Sequence, residues 1–183
     1  LRGRLGIRPV SDRIGTRHKL SFMVPLPRRY VDIIRKVEGV REATWVSWFG
    51  GKYALRPSAS FASFAVDPAS FLEVYDELVL PEEQRTQWLE DRQGALVGDL
   101  LATQLGLRVG DRFTMQSEMF PGDWTVHVAG IFQTSRNSFD RNALLLHWSF
   151  LNEALPSERR EMVGWVVSRV DAAGKGPWVA EEI

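Results

Sequence analysis

Residues that could carry out chemistry are few. The three histidines, His18, His127 and His147, stand in unrelated contexts. A zinc site needs closely spaced ligands such as H-E-x-x-H, and no such pair occurs. No G-x-S-x-G elbow presents a serine nucleophile. The absence of cysteine excludes a thiol nucleophile, a Cys-ligated zinc and a disulfide scaffold, and leaves the compartment open. Gly50-Gly51-Lys52 resembles the end of a phosphate loop. However, Val46 stands where the first glycine belongs, and Tyr53 where a magnesium-binding Ser or Thr belongs. The acid pairs Glu82-Glu83 and Glu90-Asp91 fall on polar helix faces. Acid–base catalysis needs two carboxyls in unlike environments, and solvated neighbours do not provide them. These residue types predict no catalytic residue, no metal and no cofactor.

Aromatic residues are the more unusual resource. There are seven tryptophans, and Trp45, Trp48, Phe49 and Tyr53 cluster around Gly50-Gly51. The ordinary role of a tryptophan is to fill a core. Alternation along Val40–Phe49 places Trp45, Ser47 and Phe49 on one face and Val46 and Trp48 on the other. With an aromatic on each face, at least one face must meet a second layer or a partner. Stacking on a sugar, a lipid or a protein would use the same rings.

The elements that position these residues follow from periodicity and punctuation. Lys19–Val24 reads as a short strand, stopped by Pro25 and Pro27. Tyr30, Ile33, Ile34 and Val37 recur at helical spacing, with Gly39 as the C′ residue. Val40–Phe49 is a strand, broken by Gly50-Gly51. Ser60–Val66 is another. Asp67-Pro68 reads as N-cap and N1 of a helix to about Leu78, with Val66 and Phe71 as its hydrophobic staple. Pro81 opens a polar helix anchored by Trp88 and Leu89. Ala95–Val97 is a short strand, Gly98–Leu105 a helix and Gly106 its cap. A strand after Val109-Gly110-Asp111, the turn Pro121-Gly122-Asp123 and a strand Trp124–Phe132 follow. Trp124, Val126 and Val128 share a face of that strand. Leu144–Leu146 is a strand, His147–Leu155 a helix and Met162–Val170 a long strand. A last helix begins after Gly174-Lys175-Gly176-Pro177. The mixture predicts an α+β fold.

Charge and length bound the partners. The 183 residues carry 23 Lys+Arg and 23 Asp+Glu, so the net charge is zero. That length suffices for a core without staples. A balanced charge argues against generic nucleic-acid binding, which runs on phosphate neutralisation. The balance is uneven along the chain. Residues 1–29 hold Arg2, Arg4, Arg8, Arg13, Arg17, Lys19, Arg28 and Arg29 against Asp12 alone. A basic arm is either a solvated tail or a segment beside an anionic surface. No window approaches the roughly 18 apolar residues of a membrane span. The chain begins at Leu1 and ends mid-pattern at Ile183, which suggests a piece of a longer protein.

Several short phrases occur in a telling order. They are Val37-Glu38-Gly39-Val40, Gly94-Ala95-Leu96-Val97-Gly98, Leu105-Gly106-Leu107 with Val109-Gly110-Asp111, and Val128-Ala129-Gly130-Ile131-Phe132. With them, residues 20–183 resemble the extracytoplasmic (periplasmic core) domain of ABC-transporter permeases of the MacB/FtsX type. The resemblance implies a two-lobed ectodomain. A porter-like β-α-β lobe would comprise 1–51 with 160–183, and an inserted mixed lobe 52–159. It marks Gly39, Asp67, Pro68, Gly94, Gly98, Gly106, Gly110, Asp111 and Gly130 as structural motif residues.

The same resemblance implies a non-catalytic domain on the periplasmic side of the inner membrane. It would transmit ATP-driven movement from a separate ATPase subunit to a periplasmic adaptor or substrate protein. The basic residues 1–29 would then lie beside an anionic membrane surface. Partner contacts are expected on protruding loops, at Trp48, Phe49, Tyr53, Met119 and Phe120. The second reading is a stand-alone ligand-binding module using exposed tryptophans. A third, a cofactor-free hydrolase with dispersed carboxylates, has no motif behind it.

Overall fold

The computed structural model describes residues 12–18, 24–56, 58–59 and 61–171. The strands are β1 (Arg13–Arg17), β2 (Leu26–Pro27), β3 (Val40–Trp48), β4 (Gly51–Tyr53), β5 (Ala62–Val66), β6 (Leu78–Val79), β7 (Gly94–Gly98), β8 (Arg112–Ser117), β9 (Asp123–Thr134), β10 (Ala143–His147), β11 (Met162–Val163) and β12 (Trp165–Val170). The helices are α1 (Arg29–Ile34), α2 (Pro68–Val74), α3 (Glu82–Glu90), α4 (Asp99–Leu105) and α5 (Trp148–Ala154), with a 3₁₀ turn at Ser157–Arg159. The fold is mixed α+β, as expected. The short strand at Lys19–Val24 falls mainly on residues outside the described ones, and the helix after Pro177 lies wholly outside them.

One mixed sheet organises the molecule, in the order β1-β12-β3-β5-β10-β7-β9-β8-β4, with β6 added to β9. β5 and β10 run parallel, as do β7 and β9. β4 resumes only two residues after β3 ends, so the sheet's far edge is covalently joined to its middle and the sheet curls. One core gathers Trp45 of β3 and Phe49 just after it with Val97, Val126, Leu144 and Trp148. The other packs α2 and α3 on the opposite face, through Phe71, Leu72 and Trp88 against Val46, Val66 and Leu145. β3 is thus buried from Ala43 to Ser47 on both faces, which accounts for its alternating aromatics.

Local signals placed several elements well. The Asp67 carboxylate accepts from the Ser70 amide at 3.1 Å, with Pro68 at the first helical position. Val66 and Phe71 are both buried, as a staple requires. Gly106 ends α4 in the left-handed region at φ 72°, where a side chain would be strained. A Cβ on Gly98 would fall 2.0 Å from the Arg141 carbonyl oxygen, so only glycine fits beneath that strand crossing.

Other expectations are corrected. α1 spans six residues and buries Val31 and Ile34, leaving Tyr30 and Ile33 exposed, because so short a helix docks through one turn. Gly39, at φ 85°, leads into β3 instead of capping α1. α2 ends at Val74, ahead of the buried Glu77. Leu89 is exposed, and Trp88 alone anchors α3. Met162–Val170 is interrupted at Gly164, whose amide donates to Ser47 Oγ at 3.1 Å.

The described ends of the chain meet. The Val170 amide donates to the Asp12 carbonyl at 2.7 Å, and the Asp171 amide to the Gly39 carbonyl at 3.0 Å. An ionic network fixes this end. Glu77 is fully buried and takes a two-pronged bond from Arg13, at 2.7 and 2.9 Å. Ser138 Oγ donates to the same carboxylate at 2.6 Å, and Arg13 lies 4.4 Å over the Tyr75 ring. Arg169 bonds both Asp12 and Asp76 at 2.8 Å. Two cations of the basic arm are therefore internal fasteners, because Arg28 likewise pairs with Glu161.

Burial pushes the Glu77 carboxyl upward, but the Arg13 fork and the Ser138 hydroxyl override it and hold the group below its ordinary value. The native carboxyl thus protonates at lower pH than the unfolded one, ordinarily near pH 4.3. Its contribution is complete above that pH and is lost as pH falls through the depressed native value. Glu77→Gln, which strands the Arg13 charge, should cost about 3–5 kcal/mol at pH 7. It should also flatten the acid limb of stability, both measured by urea unfolding across pH.

Candidate functional site

The end of β3 opposite Asp12 and Asp171 borders an apolar cleft of about 590 Å³. Trp48 and Trp165 line one side, and Met119 and Phe120, on the β8–β9 turn, another. Trp148, Leu151 and Leu155, on and just after α5, together with Met162 and Val163, close it, while Glu158 and Arg159 stand at its rim. The volume is in the range of about 300–1,000 Å³ usual for small-molecule sites.

Each wall is positioned by identifiable bonds. The Phe49 amide donates to the Ser63 carbonyl at 2.9 Å and the Gly51 amide to Ser63 Oγ at 2.7 Å, which pins the corner between β3 and β4. Ser117 Oγ donates to the Phe49 carbonyl and accepts from the Met119 and Phe120 amides, each at 3.2 Å. One hydroxyl therefore ties the strand end to the turn carrying two cleft residues. The Phe120 ring stacks on Phe49 at 5.9 Å, and Trp124 Nε1 donates to the Phe120 carbonyl at 2.8 Å. On the other wall, Trp148 Nε1 donates to the Met162 carbonyl at 3.2 Å. Trp48, Phe64 and Trp165 form a row of edge-to-face contacts, at 5.2 and 6.1 Å.

The five expected contact residues divide. Trp48, Met119 and Phe120 come together in the cleft, although Phe120 is mostly covered. Phe49 is fully buried, so it supports the cleft from beneath and is no surface contact. Tyr53 lies apart, edge-on to Phe113. Trp165, Met162, Leu151, Leu155 and Arg159 escaped sequence reading, since nothing local marks residues that meet only after the sheet curls.

The marked glycines and caps serve the frame. Gly94 is wedged against the Asp91 carbonyl, and Gly130 against Leu96 and Gln84. Gly110 turns the chain into β8, and the Asp111 carboxylate holds that turn by accepting from the Arg108 amide at 2.7 Å.

The histidines form no joint site. His127 contacts Asp91, and His147 Nε2 donates to the Trp88 carbonyl at 2.7 Å. Burial pushes the His147 imidazole below its ordinary range, as befits a neutral core group. His18 stands just beyond β1. Gly51-Lys52 lies within β4, paired to β8, which is unlike a phosphate cradle. Among the described residues, no group of three or more His, Cys, Asp or Glu is placed to hold a metal.

No family model matches the chain, and no curated protein matches its sequence. The fold does have counterparts: it is that of the extracellular and periplasmic domains of ABC-type transporter permeases. One is the extracellular domain of the noncanonic ABC-type transporter YknZ from Gram-positive bacteria. It covers 92% of this chain and 87% of its own at TM-score 0.57 and 9% identity. Another is the periplasmic region of MacB from Actinobacillus actinomycetemcomitans, covering 94% and 79% at TM-score 0.60 and 11% identity. At such identities the likeness is one of fold.

Phe49→Ala would open a cavity between the two aromatic stacks and release the turn. A loss of about 3–5 kcal/mol is expected in chemical unfolding. Tyr53→Ala, which is only partly covered, should cost clearly less in the same assay.

Proposed function

We propose that the chain is the non-catalytic extracytoplasmic domain of an ABC-transporter permease, on the periplasmic side of the inner membrane. The observation that carries this reading is the placement of the two ends of the sheet. Asp12, Gly39 and Asp171 converge at one end, and the cleft opens at the other. β3 and its partner β12 connect them, and a nine-residue strand spans about 26 Å. Movement of membrane segments attached at the first end would shift β1, β3 and β12 together and change the walls of the cleft. The fold shared with transporter ectodomains supports the assignment. In this proposal 1–51 with 160–183 form the porter-like lobe, and 52–159 the inserted lobe. The cognate ATPase acts through the transmembrane part. A periplasmic adaptor or substrate protein engages the cleft rim at Trp48 and Met119, both exposed.

The experiment is purification of the full-length gene product from membranes. An ABC ATPase should copurify with it. Trp48→Ala combined with Met119→Ala should reduce assembly or transport at least severalfold, with unchanged thermal unfolding of the domain. Absence of any ATPase would overturn the assignment. Normal assembly of the double variant would remove the cleft from it.

The basic lead-in belongs to the same proposal. Arg13 and Arg28 are committed to Glu77 and Glu161, so attraction to an anionic membrane falls to the other cations of 1–29, with Arg2, Arg4 and Arg8 grouped ahead of β1. Deleting residues 1–11, which spares β1, should weaken binding to anionic vesicles at low salt, as read by flotation. Equal flotation of both forms would exclude Arg2, Arg4 and Arg8 from that contact.

A second reading is favoured by one observation: Trp48 and Trp165 both line the cleft. A ligand-binding module built on these rings predicts a saturable change in tryptophan fluorescence on adding ligand.

A further inference from the structure

We infer that the cleft binds the alkyl chain of an anionic amphiphile, with Arg159 receiving the head group. This rests on the second reading above and names its ligand class. The lining offers the side chains of Trp48, Trp165, Met119, Met162, Leu151 and Leu155, with Trp48 and Met119 towards the mouth, a surface suited to a flexible chain. Polar groups are confined to Ser47, whose hydroxyl is engaged by Gly164, and to the rim.

The rim supplies the head-group preference. Arg159 is exposed and lies 5.7 Å over the Phe120 ring, at the mouth of the cleft. Among the described residues it has no carboxylate partner. Glu158, also at the mouth, accepts from Ser157 Oγ at 2.9 Å. Arg160 beside it bonds only the carbonyl oxygens of Leu155 and Glu153, at 2.8 and 3.0 Å. Of the two charges that line the mouth, Glu158 is thus engaged within its own turn and Arg159 is left without a carboxylate. Arg159 stands over the aromatic wall, and its guanidinium fork matches a carboxylate, sulfate or phosphate. A neutral head group has no charge to offer the guanidinium, and a cationic one would be set against it.

The test uses the 183-residue chain with decanoate, dodecanoate and tetradecanoate, each below its micellar concentration. Intrinsic fluorescence and calorimetry provide the readouts. Dodecyl maltoside and dodecyltrimethylammonium serve as neutral and cationic controls. Saturable binding of dodecanoate is expected, tightening about fourfold per added methylene. Dodecanoate should bind at least tenfold tighter than either control. Arg159→Gln should erase that preference and leave maltoside binding unchanged. Met119→Glu, on an exposed turn, should weaken every ligand at least tenfold with unchanged unfolding temperature.

No saturation, affinity independent of chain length, or a preference that survives Arg159→Gln would each overturn the proposal. Self-association that Met119→Glu abolishes, without amphiphile binding, would assign the cleft to a second copy instead. None of these outcomes bears on ATPase copurification, so the permease assignment stands or falls separately.

Discussion

The corner at Phe49-Gly50-Gly51 is the constraint on which the arrangement depends. β3 is committed to β12 on one edge and, at its far end, to β5 on the other. The chain must then leave that position and join β8 at the far edge of the sheet. Gly50, in the left-handed region at φ 65°, permits the change of direction. Ser63 fixes it with its carbonyl and its hydroxyl, and Ser117 closes it from the other side. Phe49 fills the space beneath, against Phe120 and Trp124. A sheet that did not turn back here would leave the β8–β9 turn far from Trp48, and there would be no cleft.

The opposite end is held by a different kind of force. Glu77 could not be buried as a lone carboxylate, because desolvation would cost several kcal/mol. Arg13, from β1, and Ser138, beside the packed Phe139, satisfy it. Arg169, between Asp12 and Asp76, repeats the pattern on the neighbouring strand. Apolar packing thus sets the cleft end, while charge pairing sets the end where the described chain begins and finishes. Buried ion pairs add little net stability but tolerate only one partner geometry. They suit an end whose register must be kept.

What could be read in the sequence was local. Asp67-Pro68, Gly106 and the alternation along β3 are each decided within a few residues, and the structure follows them. The helical spacing of Tyr30, Ile33, Ile34 and Val37 misled because a six-residue helix buries whatever its one docked turn presents. Phe49 looked like a loop tip because two glycines follow it, and only the bonds from Ser63 show that the tip is folded inward. Arg13 looked like part of a solvated arm, yet its partner is 64 positions away. For the cleft, exposed apolar character at Trp48 and Met119 was legible. The wall from α5 to β12 was not, since its apolar residues have ordinary core patterns.

That second wall is where α5 meets the segment entering α1. Glu161 sits at φ 57°, an uncommon conformation for a residue with a side chain. Asn152 Oδ1 accepts from its amide at 2.8 Å, and Asn152 Nδ2 donates to its carboxylate at 3.0 Å. Arg28 donates to the same carboxylate from Nε and to the Glu161 carbonyl from its amide, both at 2.8 Å. The strained turn is therefore held from α5 on one side and from the segment entering α1 on the other. Met162 and Val163 follow directly and line the cleft. A displacement of the entering chain would reach Glu161 through Arg28, and the cleft wall through Glu161, by hydrogen bonds rather than through the sheet. Two sets of contacts thus join the cleft to the entering segment. The rigid one runs along β3 and β12, and the polar one ends at a residue already out of its preferred conformation.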